Sequence, residues 1–259
     1  MDFTIEKYRE LLTALKQHKN HRIRHDVDLR PEFSLRVAQV EAEMGMKATY
    51  YFRSMHFNSH AEVIKAIAAL GHEAGFHYEC LTTTQGDTEK AYNLFVAELD
   101  ELRRLVPVHT ACAHGSPRSP WNSQSIWESP GCRISKSPNH PIYDIHALGI
   151  EYEPMLDTDF SKTLYLTDTG RRWDGYKVSV RDKVPQYQEQ WGKDGLVFHS
   201  TDDIIRALHN PDHPIHQKEI LINTHPQRWM PFGVQWAVEA TAQWWKNIAK
   251  GILVKLNQN

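Results

Sequence analysis

Residues 22–45, Arg-Ile-Arg-His-Asp-Val-Asp-Leu-Arg-Pro-Glu-Phe-Ser-Leu-Arg-Val-Ala-Gln-Val-Glu-Ala-Glu-Met-Gly, read as one strand-to-helix unit. Arg22 to Asp28 is a short strand, and Pro31 opens a helix, where its missing N–H costs nothing. Phe33, Val37, Val40 and Met44 supply the buried side of that helix, and Gly45 stops it. The same alternation extends in both directions. Ile5, Tyr8, Leu11, Leu12 and Leu15 recur at helical spacing before the strand. After it, Lys47 to Phe52 is β-rich, Ala61 to Leu70 is helical, Glu73 to Tyr78 is a strand, and Thr88 to Leu105 is an amphipathic helix that leads to Thr110–His114. Strands separated by helices of roughly 10 to 18 residues predict βαβ units and a parallel sheet.

Residues 116–161 are rich in Pro, Ser, Asn and His and read as loop. Leu164–Thr167, Leu196–His199 and Ile220–His225 are the later candidate strands, and a final helix over about Val234–Lys250 carries Trp236, Trp244 and Trp245. No repeat or linker interrupts the chain, so residues 1–259 are expected to form a single domain.

Composition narrows the function class. With 41% hydrophobic and 24% charged residues, a net charge of −2 and a pI near 6.8, the chain has an ordinary core and no basic field for a nucleic acid. Its 16 histidines and 8 tryptophans invite a search for site chemistry. Cys80, Cys112 and Cys132 are widely spaced and form no Cys-x-x-Cys, which predicts neither a disulfide framework nor a thiolate zinc site. The opening residues lack a basic start followed by an apolar run, and no stretch approaches the roughly 18 apolar residues of a membrane span. The expectation is a reduced, cytoplasmic protein with no membrane and no nucleic-acid partner.

Polar residues fall at strand ends: Asp26 and Asp28 at the first, then His77, His114 and His225. In parallel α/β barrels ligands gather at the C-terminal ends of strands. Strand alternation puts Asp26 and Asp28 on one side and His25 on the other. Two close carboxylates favour unlike roles, one on a cation and one as a base; capping of the following helix is the plainer alternative. His77 shares a side with Glu79 and suits a metal, whereas His72 suits a backbone hydrogen bond at a helix end. In the loop after His114, Arg118 can hold a carboxylate and Trp121 can line a sugar or ring. His225, before Pro226, suits proton transfer or a turn. The run Leu166–Asp174 clusters Asp168, Arg171, Arg172 and Trp173, as a substrate-facing loop or a solvated hairpin.

As an ordered set these blocks resemble the polysaccharide deacetylase family, or NodB-homology domain. His25-Asp-Val-Asp28 resembles its first motif, Ala48-Thr-Tyr-Tyr-Phe52 its Ala-Thr-Phe-Phe strand, Gly71 to His77 its Gly-His-Glu-Ile-Gly-x-His segment, and Thr224-His225-Pro226 its closing motif. The resemblance spans roughly residues 20 to 230. It implies an α/β fold of the irregular (β/α)7-type barrel and hydrolysis of an amide, an N-acetyl group on a saccharide or saccharide precursor. It further implies Asp26 as general base, Asp28 and His77 as ligands of a divalent metal, and His225 as general acid. Zinc is the first choice, with cobalt, nickel or iron suiting the same donors. Two departures stand out. Leu81 occupies the place of the family's second metal histidine, and His114-Gly-Ser-Pro-Arg118 replaces its Arg-x-Pro motif. His114 is therefore expected as the third ligand, with Glu79 as its competitor; Arg118, Trp121, Asp168, Arg172 and Trp173 are the expected substrate contacts. A small non-sugar amide as substrate, or a barrel that binds metal or saccharide without turnover, are the alternatives.

Overall fold

The computed structural model of the chain describes residues 1–116, 119–127, 143–177, 179 and 181–256, with side chains of the last helix described as far as residue 247. Helix α1 (Ile5–Leu15) begins at Thr4, whose hydroxyl accepts from the Lys7 amide, and buries Ile5, Tyr8, Leu11, Leu12 and Leu15. Strand β1 (His21–Val27) follows, then α2 (Pro31–Glu43) with Pro31 in its first turn. The chain continues through β2 (Thr49–Phe52), α3 (Ala61–Ala69), β3 (Glu73–Tyr78), the short α4 (Cys80–Thr83), α5 (Thr88–Arg103) and β4 (Ala111–Ala113). Beyond it lie α6 (Pro154–Asp157), β5 (Thr163–Thr167), α7 (Pro185–Lys193), α8 (Thr201–His209), β6 (Glu219–Thr224) and α9 (Val234–Leu256). Cys80 and Cys112 are buried free thiols, Cys132 lies outside the described residues, and among those described no helix is long and apolar enough to cross a membrane.

The six strands form one wholly parallel sheet in the order β4-β3-β2-β1-β6-β5. A parallel bridge from Thr110 to Tyr152 adds one further extended segment outside β4. The sheet curls into a barrel-type wall. Flat, it would set β4 about 14 Å from β1, three strand spacings away. Yet Arg24 on β1 donates both to Cys112 Sγ on β4, at 2.8 Å, and to the Tyr165 hydroxyl on β5, at 3.1 Å. One side chain thus touches both outer strands across the interior. The wall has no room to spare: a Cβ on Gly75 would stand 2.6 Å from the Tyr51 ring.

The sequence spacing overstated one strand. Among the described residues Leu196–His199 pairs with no neighbour; Leu196 and Phe198 instead bury their side chains in the link between α7 and α8. Apolar alternation there reports burial, and without a ladder partner it makes no strand.

Side chains that alternate away from the barrel interior meet the helices, and one of them forms a polar core. His25 Nε2 donates to Glu41 Oε1 of α2 at 2.8 Å, while the Tyr8 and Tyr50 hydroxyls donate to the same carboxylate at 2.5 and 2.6 Å. Thr224 Oγ1 closes the chain at 2.7 Å from His25 Nδ1. Burial pushes the Glu41 pKa up, but the His25 imidazole and the bonds from Tyr50 and Tyr8 bring it below its ordinary 4.5. We expect Glu41→Ala, which strands three buried donors, to cost about 3–5 kcal/mol in urea unfolding. Because the folded pKa is depressed, the stability that the charge contributes is complete above 4.5 and is lost as the pH falls below it. Urea midpoints for the wild type and Glu41→Gln should therefore converge on acidification; a gap that stays constant would contradict this.

Candidate metal centre and active site

Strand alternation aims Arg24, Asp26 and then Asp28 into the barrel, with His77 beside them on β3 and His114 just past β4. Three imidazoles converge on one carboxylate. His77 Nε2 lies 3.4 Å and His114 Nε2 3.5 Å from Asp28 Oδ1, while His225 Nε2 lies 3.6 Å from Asp28 Oδ2. Burial alone would raise the Asp28 pKa, but His77, then His225 and His114, hold it far below the carboxylate range when their rings are protonated.

Each imidazole is oriented through its other nitrogen. His77 Nδ1 donates to the Cys112 main-chain carbonyl at 2.9 Å. His114 Nδ1 donates to Glu79 Oε2 at 3.0 Å, and Ser116 Oγ also reaches Glu79. Arg53 secures the other oxygen of Glu79. Burial pushes Glu79 up, yet His114 and Arg53 bring it to about 2, so it stays an acceptor. With both Nδ1–H groups committed, both Nε2 lone pairs face Asp28, the tautomer that metal ligation requires.

Asp28, His77 and His114 offer donor atoms within 4.8 Å of one another. Asp28 Oδ1 is buried without a hydrogen-bond partner among the described residues. A carboxylate oxygen left bare beside two lone-pair imidazoles fits a divalent cation, and an N,N,O set of this kind suits zinc. Glu79, the competing sequence candidate, points at His114 rather than into this set.

Two further groups flank it. Asp26 is fixed through Oδ2, which accepts from Arg24 at 3.2 Å and Asn223 Nδ2 at 2.9 Å; its Oδ1 has no partner among the described residues. Burial raises the Asp26 pKa, but Arg24, then His77 and His225, bring it below the usual value. On the other side His225 Nδ1 meets Asp168 Oδ1 at 2.6 Å. Asp168 also accepts from the His225 amide, Arg228 and Trp229 Nε1. Burial pushes Asp168 up, and Arg228 with His225 brings it to about 2. For His225, burial and Arg228 lower the pKa, while Asp168 and Asp28 more than offset them and raise it above 6.5.

The predicted substrate contacts are scattered. Asp168 is fully buried beneath His225, too deep to meet a substrate, and serves to orient the ring. Trp173 is buried against Phe3 and donates to Thr201, and Arg172 is bound to Asp174, so neither lines the site. Trp121 rests on Gly86 with 37% of its surface exposed. Arg118 lies outside the described residues. His72 spans from the Ala48 amide to the Ala38 carbonyl, as a helix-end residue should. Sequence reading missed Asn223, Arg228 and Arg181, which ties the 115–121 loop through the carbonyls of Gly115, Ser119 and Trp121. It quoted Arg24 without a role, although the period of two that joined Asp26 to Asp28 also reaches back to residue 24.

No protein-family model matches the chain, and no curated protein matches it. Solved structures similar to it include the following two. One is a family 4 carbohydrate esterase from Bacillus anthracis: 15% identity, TM-score 0.36, covering 46% of this chain and 61% of that one. The match thus spans under two thirds of the esterase. The other is a mutant of the peptidoglycan deacetylase PdaC from Bacillus subtilis: 9% identity, TM-score 0.39, covering 92% of this chain and 97% of that one.

Arg24 holds the interior together, sandwiched by the rings of Tyr51 and Tyr165 at 5.8 and 5.6 Å. Replacing it by Met leaves Asp26 without its cation. The expected loss is about 3–5 kcal/mol in denaturant unfolding, with Arg24→Lys recovering only part because one ammonium cannot reach both outer strands. Equal stability of Arg24→Met and wild type would contradict the reading.

Proposed function

We propose that the chain is a metal-dependent hydrolase that cleaves an amide C–N bond, removing acetyl from an N-acetylated saccharide or saccharide precursor. One observation carries the hydrolytic part: an acceptor oxygen with no partner, Asp26 Oδ1, and a carboxylate-backed imidazole, His225, stand on either side of a metal-competent Asp28–His77–His114 set. The saccharide rests on the ordered motifs of residues 20 to 230 alone.

When held by Asp28, His77 and His114, a divalent ion supplies the Lewis acidity that polarises an acyl oxygen and acidifies water. Asp26, kept ionised by Arg24, takes a proton from water at Oδ1 as the water oxygen bonds to the acyl carbon. His225 delivers a proton from Nε2 to the nitrogen as the C–N bond breaks, leaving acetate and a free amine. Asp168 and Arg228 keep the ring aimed during that transfer. Each such acid–base group is worth about 10²–10⁴-fold in rate.

Protein purified without chelator should carry close to one divalent ion per chain by elemental analysis. Asp28→Ala should lose metal and activity together, whereas Asp26→Asn should keep the metal and lose about 10²–10⁴-fold in turnover. Equal metal loss in both variants would make Asp26 a ligand and displace it as base.

His225 must be protonated to act as an acid, and its pKa is raised, so turnover should persist above pH 6.5 and fall on a more alkaline limb. Asp168→Asn removes a cause of that rise, and the limb should move to lower pH. His225→Ala should slow an amide more than an activated ester, whose leaving group needs no proton. Equal slowing of both would assign His225 to substrate contact instead.

A further inference from the structure

Helix α9 is fastened to the mouth end of the barrel. Trp236 donates to the Asp2 carbonyl at 3.1 Å, and Asn247 donates to the Gly170 carbonyl at 2.8 Å. Asp2 stands at the head of α1, which runs down to the start of β1, and Gly170 follows the end of β5 just past Asp168. Both anchors therefore belong to the end of the sheet that carries Asp28, His77 and His225. The polar side of the helix turns to the body: Gln243 is buried and bound to Asn247, and Glu239 is half-buried near Arg171. The apolar side does not. Val234 is 81% exposed, Val238 64%, Trp245 61% and Trp244 57%, with Phe232 at 64% just before the helix. A helix in water ordinarily turns such a stripe to the core.

The breadth of the outward face identifies what covers it. At 3.6 residues per turn, Trp244, Ala237, Thr241, Val234, Trp245 and Val238 follow one another around about 120° of the helix. All six are exposed and none is charged. Trp244 and Trp245 are consecutive, so they leave the axis about 100° apart, and their rings meet edge to face at 4.8 Å. One facing helix cannot cover both, because a helix–helix seam is a narrower strip. A fluid apolar medium can, and indole rings favour the level of lipid headgroups. Charge points the same way. The sequence of α9 holds Lys246, Lys250 and Lys255 against a single acid, Glu239. That acid is turned to the body, whereas Lys246 is exposed next to Trp245. The uncharged arc is thus accompanied by basic and not acidic side chains at the surface, which complements anionic headgroups.

We propose that α9 lies in the plane of an anionic phospholipid surface, with its exposed arc among the acyl chains and Lys246 at the headgroups. Spanning is a different matter: among the described residues no helix is long and apolar enough to cross a membrane. The helix therefore rests on one leaflet, held by buried apolar area together with attraction to the anionic lipid. The helix of 23 residues is about 34 Å long, enough to lay the whole arc on the surface. Because its anchors are at the mouth end, the chain docks by the end of the barrel that carries the candidate metal centre. The inference is independent of the proposed hydrolysis.

Flotation of the full chain with vesicles of phosphatidylcholine and phosphatidylglycerol tests it. The wild type should float, and omitting phosphatidylglycerol or adding about 0.5 M NaCl should weaken binding several-fold. Val238→Glu and Trp245→Glu, each at an exposed position, should weaken it by at least about 10-fold, and Lys246→Gln by about 5-fold. The circular-dichroism melt should be unchanged in all three. A wild type that stays in the dense fraction with these vesicles would overturn the proposal, as would Glu variants that float like the wild type. So would a wild type that does not float but sediments as a dimer, with Val238→Glu monomeric, a result that would assign the arc to a second copy of the chain.

Discussion

A guanidinium inside a barrel must be paired, and the way Arg24 is paired determines much of the rest. It spans from β1 to both outer strands, so the sheet cannot open flat without stranding a buried cation. It also anchors one oxygen of Asp26 and so dictates which oxygen remains bare. Asp182 extends the network, taking bonds from Tyr165, Thr167 and Thr169 on the far side. The curvature of the wall and the aim of the candidate base therefore share one cause. Desolvating such a group is costly and is offset only when its partners are charged or strongly polar.

From that anchor the site divides into groups carried on strands and a segment held by side-chain bonds. Asp26 and Asp28 belong to one strand and its immediate end, so the separation of candidate base and candidate ligand is fixed by the pleat. His225 and Asp168 come from the ends of β6 and β5, adjacent strands whose register pairs Thr167 with Asn223. The candidate acid is thus referenced to the same sheet. The segment around the mouth, by contrast, hangs from Arg181 through main-chain carbonyls. Candidate groups on strands beneath a loop form an arrangement in which binding preference can change through the loop alone.

Much of this was legible in the residues. Periods of two and of three to four placed β1, β3, β6, α2 and α5 within a residue or two of their ends, because the strands are almost wholly buried and each helix buries one face. Strand-end position likewise gathered Asp28, His77, His114 and His225 at one mouth. What sequence could not give was pairing. Leu196–His199 has the alternation of a strand and no strand neighbour among the described residues. Asp168 looked like a loop carboxylate because nothing local reveals that His225, Arg228 and Trp229, some sixty residues on, enclose it. Arg172 and Trp173 were grouped with it by proximity along the chain, yet a tight turn sends their side chains elsewhere.

The two metal-facing imidazoles differ in what fixes them. His77 leans on the main-chain carbonyl of residue 112, and His114 on the side chain of Glu79. A carbonyl belongs to the backbone whatever amino acid sits there, so no single codon change at 112 removes that acceptor. Glu79 has no such insurance: one substitution takes it away and leaves the His114 ring only the Ser116 hydroxyl, which can donate as well as accept and so does not hold it to one tautomer. Under drift, the β3 half of the centre would be inherited almost automatically, whereas the β4 half would persist only where selection maintains Glu79. The centre is thus poised to decay from one side first, and a chain that had lost its function would be expected to show it at residue 79 before residue 77.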